Sequence, residues 1–193
     1  MENQNKEINK DIIEKGIKII LEEGLKLEVE NNPHLKETPD RVARAMCEVF
    51  SGYVESPYKD IKTFPNESKE KQIVLLGPMT LYSMCSHHIL PFKMDIYVGY
   101  VPDKKIIGIS KIERIAKNVC RKLQVQERIS YEIMDLVQEI LEPYGVIVYI
   151  TNSVHTCMTM RGVKTRKAGL STLSKNGIFE KKQYINEFFE MIN

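Results

Sequence analysis

The sequence predicts an α+β fold, an antiparallel four-stranded sheet with helices packed on one face, preceded by N-terminal helices. Three observations lead there. Segments of helical and strand character follow the order helices, two strands, two helices, two strands, helix, which favours helices segregated to one side of an antiparallel sheet. The 193 residues suffice for one well-buried core and are few for two domains. A hydrophobic content of 42% with 28% charged residues is that of an ordinary globular protein.

Each element has its own warrant. Between Ile8 and Val29, Ile8, Ile12, Ile19 and Leu25 recur near helical spacing, with weak points at Gly16 and Gly24. Asn31-Asn32-Pro33 ends that helix. Thr38 as N-cap and Pro39 at the first helical position begin a second helix, which buries Val42, Met46, Val49 and Phe50 and stops near Ser51-Gly52. A polar stretch from Ser56 to Lys71 reads as a connection. Ile73–Cys85 and Met94–Pro102 are rich in β-formers and make a hairpin with its bend at His87–Phe92. Ser110-Lys111-Ile112-Glu113 has the form of a capping box, and Ile112, Ile115, Ala116, Val119 and Leu123 follow on one face. Another helix runs from about Gln126 to Leu141 with Ile129, Ile133, Val137 and Ile140 inward, and Pro143-Tyr144-Gly145 breaks it. Val146–Ile150 is a strand, Leu170–Ile178 a fourth, and Gln183–Ile192 a closing helix. Residues 1–55 thus form an N-terminal helical region ahead of a main domain over 56–193, the two acting as one functional domain.

Composition excludes several classes of partner. A formal charge of +2 gives no global argument for nucleic acid or membrane binding. No apolar run approaches the roughly 20 residues of a membrane-spanning helix. The polar start, Met1 to Lys10, lacks the apolar centre of a secretory signal, so the expected location is the cytoplasm. There, four cysteines point to metal binding rather than disulfides. Cys47 and Cys120 read as small buried hydrophobes on helices, and His34 as a loop residue.

Two clusters carry the chemistry. Cys85-Ser86-His87-His88 offers a C-x-x-H pair, and His155-Thr156-Cys157 adds a second thiol. Two cysteines and one histidine make a three-ligand zinc set with the fourth position open, as in catalytic sites. The histidines left over would sit beside it, where acid–base chemistry needs them. If strand geometry resumes at Val154, His155 and Cys157 project from one face. The competing reading has two buried thiols and two loop histidines. The helix start at Gly108–Arg114 offers free N–H groups with Lys111 and Arg114 on one side, which suits an anion or is merely a solvated basic face. Glu127, after Gln126, is either a reader of guanine's N1–H and N2–H or a favourable first-turn acid.

Taken together, these residues resemble the GTP cyclohydrolase I family. The matching words are Thr38-Pro39-x-Arg41, Ser83-Met84-Cys85-x-His87-His88, Gly108-Ile109-Ser110-Lys111, Gln124-Val125-Gln126-Glu127-Arg128 and His155-x-Cys157-Met158-x-Met160-Arg161-Gly162. They stand in the family's order and spacing. The resemblance implies a T-fold, one Zn²⁺ per subunit on Cys85, His88 and Cys157, and His87 and His155 as the acid–base pair. It implies hydrolysis of GTP at guanine C8, release of formate and closure to 7,8-dihydroneopterin triphosphate, the first step of pterin and tetrahydrofolate synthesis. Glu127, helped by Gln126, would hold the guanine edge. Ser110, Lys111, Arg114 and Arg161 would take the triphosphate, with Arg41 and Arg44 arriving from a neighbouring subunit of a toroidal homodecamer whose sites lie at subunit interfaces.

Three departures stand out against the family's usual pattern. Ser86 replaces a Glu between a metal ligand and a histidine, Met94-Asp95 replaces a Gly-Lys pair, and Ala168-Gly169-Leu170-Ser171-Thr172 is poorer in hydroxyls. Alternative readings are a cyclohydrolase that stops at a formamide or cyclic phosphate, a T-fold nitrile reductase, and a zinc-stabilised GTP binder without turnover.

Overall fold

The structure is a computed structural model that describes residues 7–165 and 169–192. It divides into two compact units, one ending at Glu55 and the other starting at Ser56.

In the first unit, α1 spans Lys10–Ile19 and runs into a π-helical turn, Ile20–Gly24. The Asn9 side chain caps α1 by accepting from the Ile12 N–H at 3.0 Å. Helix α2 spans Thr38–Val49, followed by a 3-10 turn at Ser51–Tyr53. It begins one residue earlier than expected. Thr38 is helical, and its hydroxyl donates to the His34 carbonyl instead of capping. Lys10 and Asp40 join α1 to α2 by an ion pair at 2.6 Å. Of the set expected to be buried on α2, Val49 is exposed and Val42, Met46 and Phe50 are only partly buried, whereas Pro39 and Ala43 are buried.

The second unit is built on one sheet. Strand β1 (Thr63–Pro65) lies within the expected connection and pairs with β4 (Lys105–Ile107). Strands β2 (Val74–Cys85) and β3 (Pro91–Val101) form the expected hairpin, in register from Val74↔Tyr100 to Met84↔Pro91. Helix α3 (Ile109–Cys120) leads to β5 (Leu123–Gln124) and α4 (Gln126–Leu141). Then come β6 (Gly145–His155), a single helical turn α5 (Thr156–Thr159), β7 (Thr172–Lys175), a 3-10 turn (Gly177–Glu180) and α6 (Lys182–Ile192). The sheet order is β5-β2-β3-β6-β7. Its four main strands are antiparallel, and the two-residue β5 adds a parallel edge against Met84 and Cys85.

Side-chain alternation divides the core into two layers. Phe92, Met94, Ile96, Val98 and Tyr100 of β3 point to the face covered by α3 and α4, where Ile112, Ile115, Ile129 and Ile133 meet them. Val101 and Ile147 point the other way and are covered by Phe179 and Phe188. Helices therefore pack on both faces, not one, because the phase of Val101 and Ile147 leaves an apolar patch that α6 closes. Strand β7 is shorter than expected. The Asn176 side chain accepts from the Val146 N–H at 2.7 Å, and Gly177 turns away at φ 54°. The capping box is not formed either: Gly108 is the N-cap of α3, and Ser110 lies inside its first turn. Leu123 belongs to β5 instead of the helix face.

Strand β6 is irregular near its C-terminal end. Its pairing with β3 slips between Lys93/Asp95 and Thr151/Val154, so β6 holds one extra residue there. Before the bulge Val146, Val148 and Ile150 face the α4 layer, and after it Ser153 and His155 do. A bulge inverts the alternation, so it turns His155 inward. Asn152, at φ 49°, forms the bulge and donates to Asp95 at 3.0 Å, and the Thr80 hydroxyl donates to the same carboxylate at 2.6 Å. Those two bonds, Thr80 first, hold the Asp95 carboxyl below its ordinary value of 3.8.

Replacing Asp95 by Ala should lower stability by about 1 kcal/mol. A depressed carboxylate stabilises above the unfolded value and loses that contribution as pH falls through its folded value. The melting difference between the proteins should therefore be full at neutral pH and vanish below 3.8. A difference independent of pH would rule out this role.

Candidate active site

The hairpin bend delivers the first cluster. Met79, Leu81, Ser83 and Cys85 alternate inward along β2, which buries Cys85. The bend closes through the Cys85 N–H on the Leu90 carbonyl at 2.8 Å and the Ile89 N–H on the Cys85 carbonyl at 2.9 Å. Ser86 is pinned to β5 by its N–H on the Gln124 carbonyl at 3.0 Å. This tight turn swings His88 back over Cys85, with Nδ1 3.8 Å from Sγ. The second cluster arrives from the end of β6. His155 is its last residue, and Cys157 sits in α5 rather than on a continued strand. The expected shared face is thus replaced by a helical turn, anchored by the Thr156 hydroxyl on the Pro91 carbonyl at 2.5 Å.

Together these elements bring ligand atoms of Cys85, His88 and Cys157 within 4.8 Å of one another. The donor set fits zinc. Bonds of about 2.3 Å to sulfur and 2.0 Å to nitrogen at tetrahedral angles put S and N about 3.5 Å apart, near the spacing of Cys85 and His88. Burial, and then the neighbouring Cys85 thiol, push the Cys157 thiol up. A divalent cation would remove that opposition to ionisation.

Around the cluster, Arg161 Nη1 lies 2.6 Å from His88 Nε2. His87 is exposed, its ring 6.2 Å from that of His88 and nearly perpendicular. His155 is half-buried and stacks on Phe92 at 4.4 Å between centroids. Burial lowers its pKa, and the Glu127 carboxylate opposes that shift. Gln126 and Glu127 open α4 and point differently: Gln126 is 1% exposed and meets His155, whereas Glu127 is open to solvent.

The remaining sequence-selected residues stand apart from this group in their contacts. Ser110 and Lys111 lie in the first turn of α3, and Arg114 pairs with Asp60 at 3.8 Å. Arg41 and Arg44 belong to the N-terminal unit, on Glu37 and Asp40 one turn earlier. Ala168 lies outside the described residues. Sequence reasoning missed Phe92, which it placed in the bend, and also Ser153, whose hydroxyl ties Leu170 to β6. The inward phase of Phe92 with Met94 and Ile96 was a usable signal for the first.

Comparisons with known proteins bear on this geometry directly. A family model described as GTP cyclohydrolase I matches residues 13–193. The chain belongs to the GTP cyclohydrolase I family. GTP cyclohydrolase 1 of Clostridium perfringens is 39% identical over 188 residues, covering 96% of this chain and 99% of the relative. That of Geobacillus sp. is 40% identical over 178 residues, covering 91% and 92%. That of Rickettsia massiliae is 42% identical over 158 residues, covering 81% and 83%. Among solved structures, the archaeosine synthase QueF-Like in the apo form aligns at a TM-score of 0.44 and 13% identity, covering 56% of this chain and 97% of that one. The mixed architecture with its antiparallel sheet is consistent with the T-fold expected of the family. No helix among the described residues is long and apolar enough to cross a membrane.

The thiols should differ in reactivity. Cys120 is buried, and burial pushes its pKa up to about 12. Iodoacetamide applied to native metal-free protein near pH 8 should label Cys157 and leave Cys120 untouched until denaturant is added. Peptide mass spectra read both sites, and early labelling of Cys120 would contradict its burial.

Proposed function

We propose that this protein is a GTP cyclohydrolase I, which opens the imidazole ring of GTP at C8, releases formate and forms 7,8-dihydroneopterin triphosphate. The observation that carries the reading is the convergence of Cys85, His88 and Cys157 beside His155 and the start of α4 in a member of this family.

Cys85, His88 and Cys157 would hold one zinc ion per chain. When bound, zinc supplies a Lewis acid that brings the pKa of water in its open position toward about 7. His87, exposed beside His88, is placed to protonate the purine as C8 is attacked. His155, whose pKa burial lowers against the opposing Glu127 carboxylate, is the base and acid for proton transfers at the ribose. Glu127 accepts from guanine N1–H and N2–H, for which an exposed carboxylate at a helix start is suited. Arg161, with Ser110, Lys111 and Arg114, takes the triphosphate.

The active form is a homo-oligomer, a toroidal decamer in which Arg41 and Arg44 complete a neighbour's site. Sheet edges support association. Among the described residues β5 covers β2 only at Met84 and Cys85, so the edge from Val74 to Ser83 is available for another strand. The cytoplasm suits the enzyme, because a reducing compartment keeps both metal-binding thiols free.

Metal-loaded protein incubated with GTP should release one formate per GTP and yield a pterin that fluoresces after oxidation. Cys157→Ala should abolish both, and full turnover in that variant would overturn the ligand assignment. Glu127→Ala should raise the KM for GTP by 10-fold or more, since a charged hydrogen-bonding group is worth about 1.5–3 kcal/mol. An unchanged KM would remove Glu127 from the guanine site. A formamide product without formate would instead favour the early-stopping cyclohydrolase.

A further inference from the structure

The buried amide of Gln126 has a determinable orientation. Its Nε2 lies 3.0 Å from the Leu170 carbonyl and 3.5 Å from the Thr172 hydroxyl, while Oε1 lies 3.0 Å from His155 Nε2. A carbonyl oxygen can only accept, so the amide NH₂ must face Leu170. The oxygen therefore faces His155, and an amide oxygen can only accept as well. His155 must then carry its proton on Nε2. In the neutral ring that leaves Nδ1 as the bare nitrogen.

The Leu170 carbonyl is itself fixed. Ser153 Oγ donates to it at 2.7 Å and in turn accepts from the Leu170 N–H at 2.9 Å. Phe92 clamps the imidazole face, with ring planes 11° apart. His155 is thus held on its face by Phe92 and at one edge by Gln126. At 1% exposure, the Gln126 side chain turns its NH₂ to Leu170 and its carbonyl to His155, both inside the chain.

We infer that Gln126 is a positioning residue rather than a substrate reader. It fixes His155 in the Nε2–H tautomer and presents Nδ1 as the nitrogen that accepts the reaction's proton. This rests on the reading of His155 as a proton carrier. The neighbours Gln126 and Glu127 then divide the work, the buried amide orienting the base and the exposed carboxylate reading the base edge of GTP.

The test combines ring-nitrogen NMR with kinetics on metal-loaded protein. Protein labelled with ¹⁵N-histidine, at about pH 8 where imidazole is neutral, should show His155 protonated at Nε2. Gln126→Leu should lose that preference and lower kcat about 10- to 100-fold, the usual cost of losing a group that orients a functional histidine. Its KM for GTP should stay within about twofold of the parent. Gln126→Met, close in length and volume but without the amide oxygen facing Nε2, should behave as Gln126→Leu does, which separates orientation from simple loss of packing.

An unchanged tautomer in Gln126→Leu would overturn the inference. So would a raised KM with kcat preserved, which would make Gln126 a guanine contact. A shifted tautomer with unchanged kcat would leave the positioning intact and overturn instead the proton-carrier role of His155.

Discussion

Two thiols and an imidazole lie within 4.8 Å of one another, and at that spacing burial and the Cys85 thiol raise the pKa of Cys157. Everything that positions the site serves that approach. Cys85 comes from the inward phase of β2, His88 from the turn after it, and Cys157 from a helical turn tied to Pro91. Each is delivered by backbone hydrogen bonds or by a strand end, so the three side chains would be organised before a metal arrives. Pre-ordering of this kind leaves little chain entropy to lose on binding.

The same register that gathers the Cys-His-Cys group also sets where His155 points. Without the extra residue in β6, His155 would face away from α4, and Gln126 could not reach it. Asp95 holds that bulge from the neighbouring strand. In the sequence, Met94-Asp95 looks like a local departure at a strand start. In the fold, Asp95 anchors the residue whose backbone turns His155 inward. Ser86 makes a simpler contribution, its N–H tying the bend to β5.

Much of this was legible in the residues. The hairpin and the α4 limits follow from alternation and helical spacing, and the two Cys/His words contain the Cys85, His88 and Cys157 that the fold brings together. What was not legible depends on pairing between distant segments. A bulge leaves no periodicity of its own, and the turn Thr156–Thr159 is too short for a helical pattern, so alternation alone puts His155 and Cys157 on one face. The strands β1 and β5 are too short for any pattern, existing only because β4 and the end of β2 offer partners. The patch under α6 was hidden for the same reason: Val101 and Ile147 reveal their facing only once register is known. In the N-terminal unit, spacing found the helices but not their buried faces.

The proposed function rests on one zinc ion held by Cys85, His88 and Cys157 with one further position left open. X-ray absorption at the zinc edge of the loaded protein addresses it most directly. Two sulfur neighbours at about 2.3 Å and two nitrogen or oxygen neighbours at about 2.0 Å are expected, with one sulfur lost in Cys157→Ser. A shell without sulfur, or one unchanged by that substitution, would contradict it.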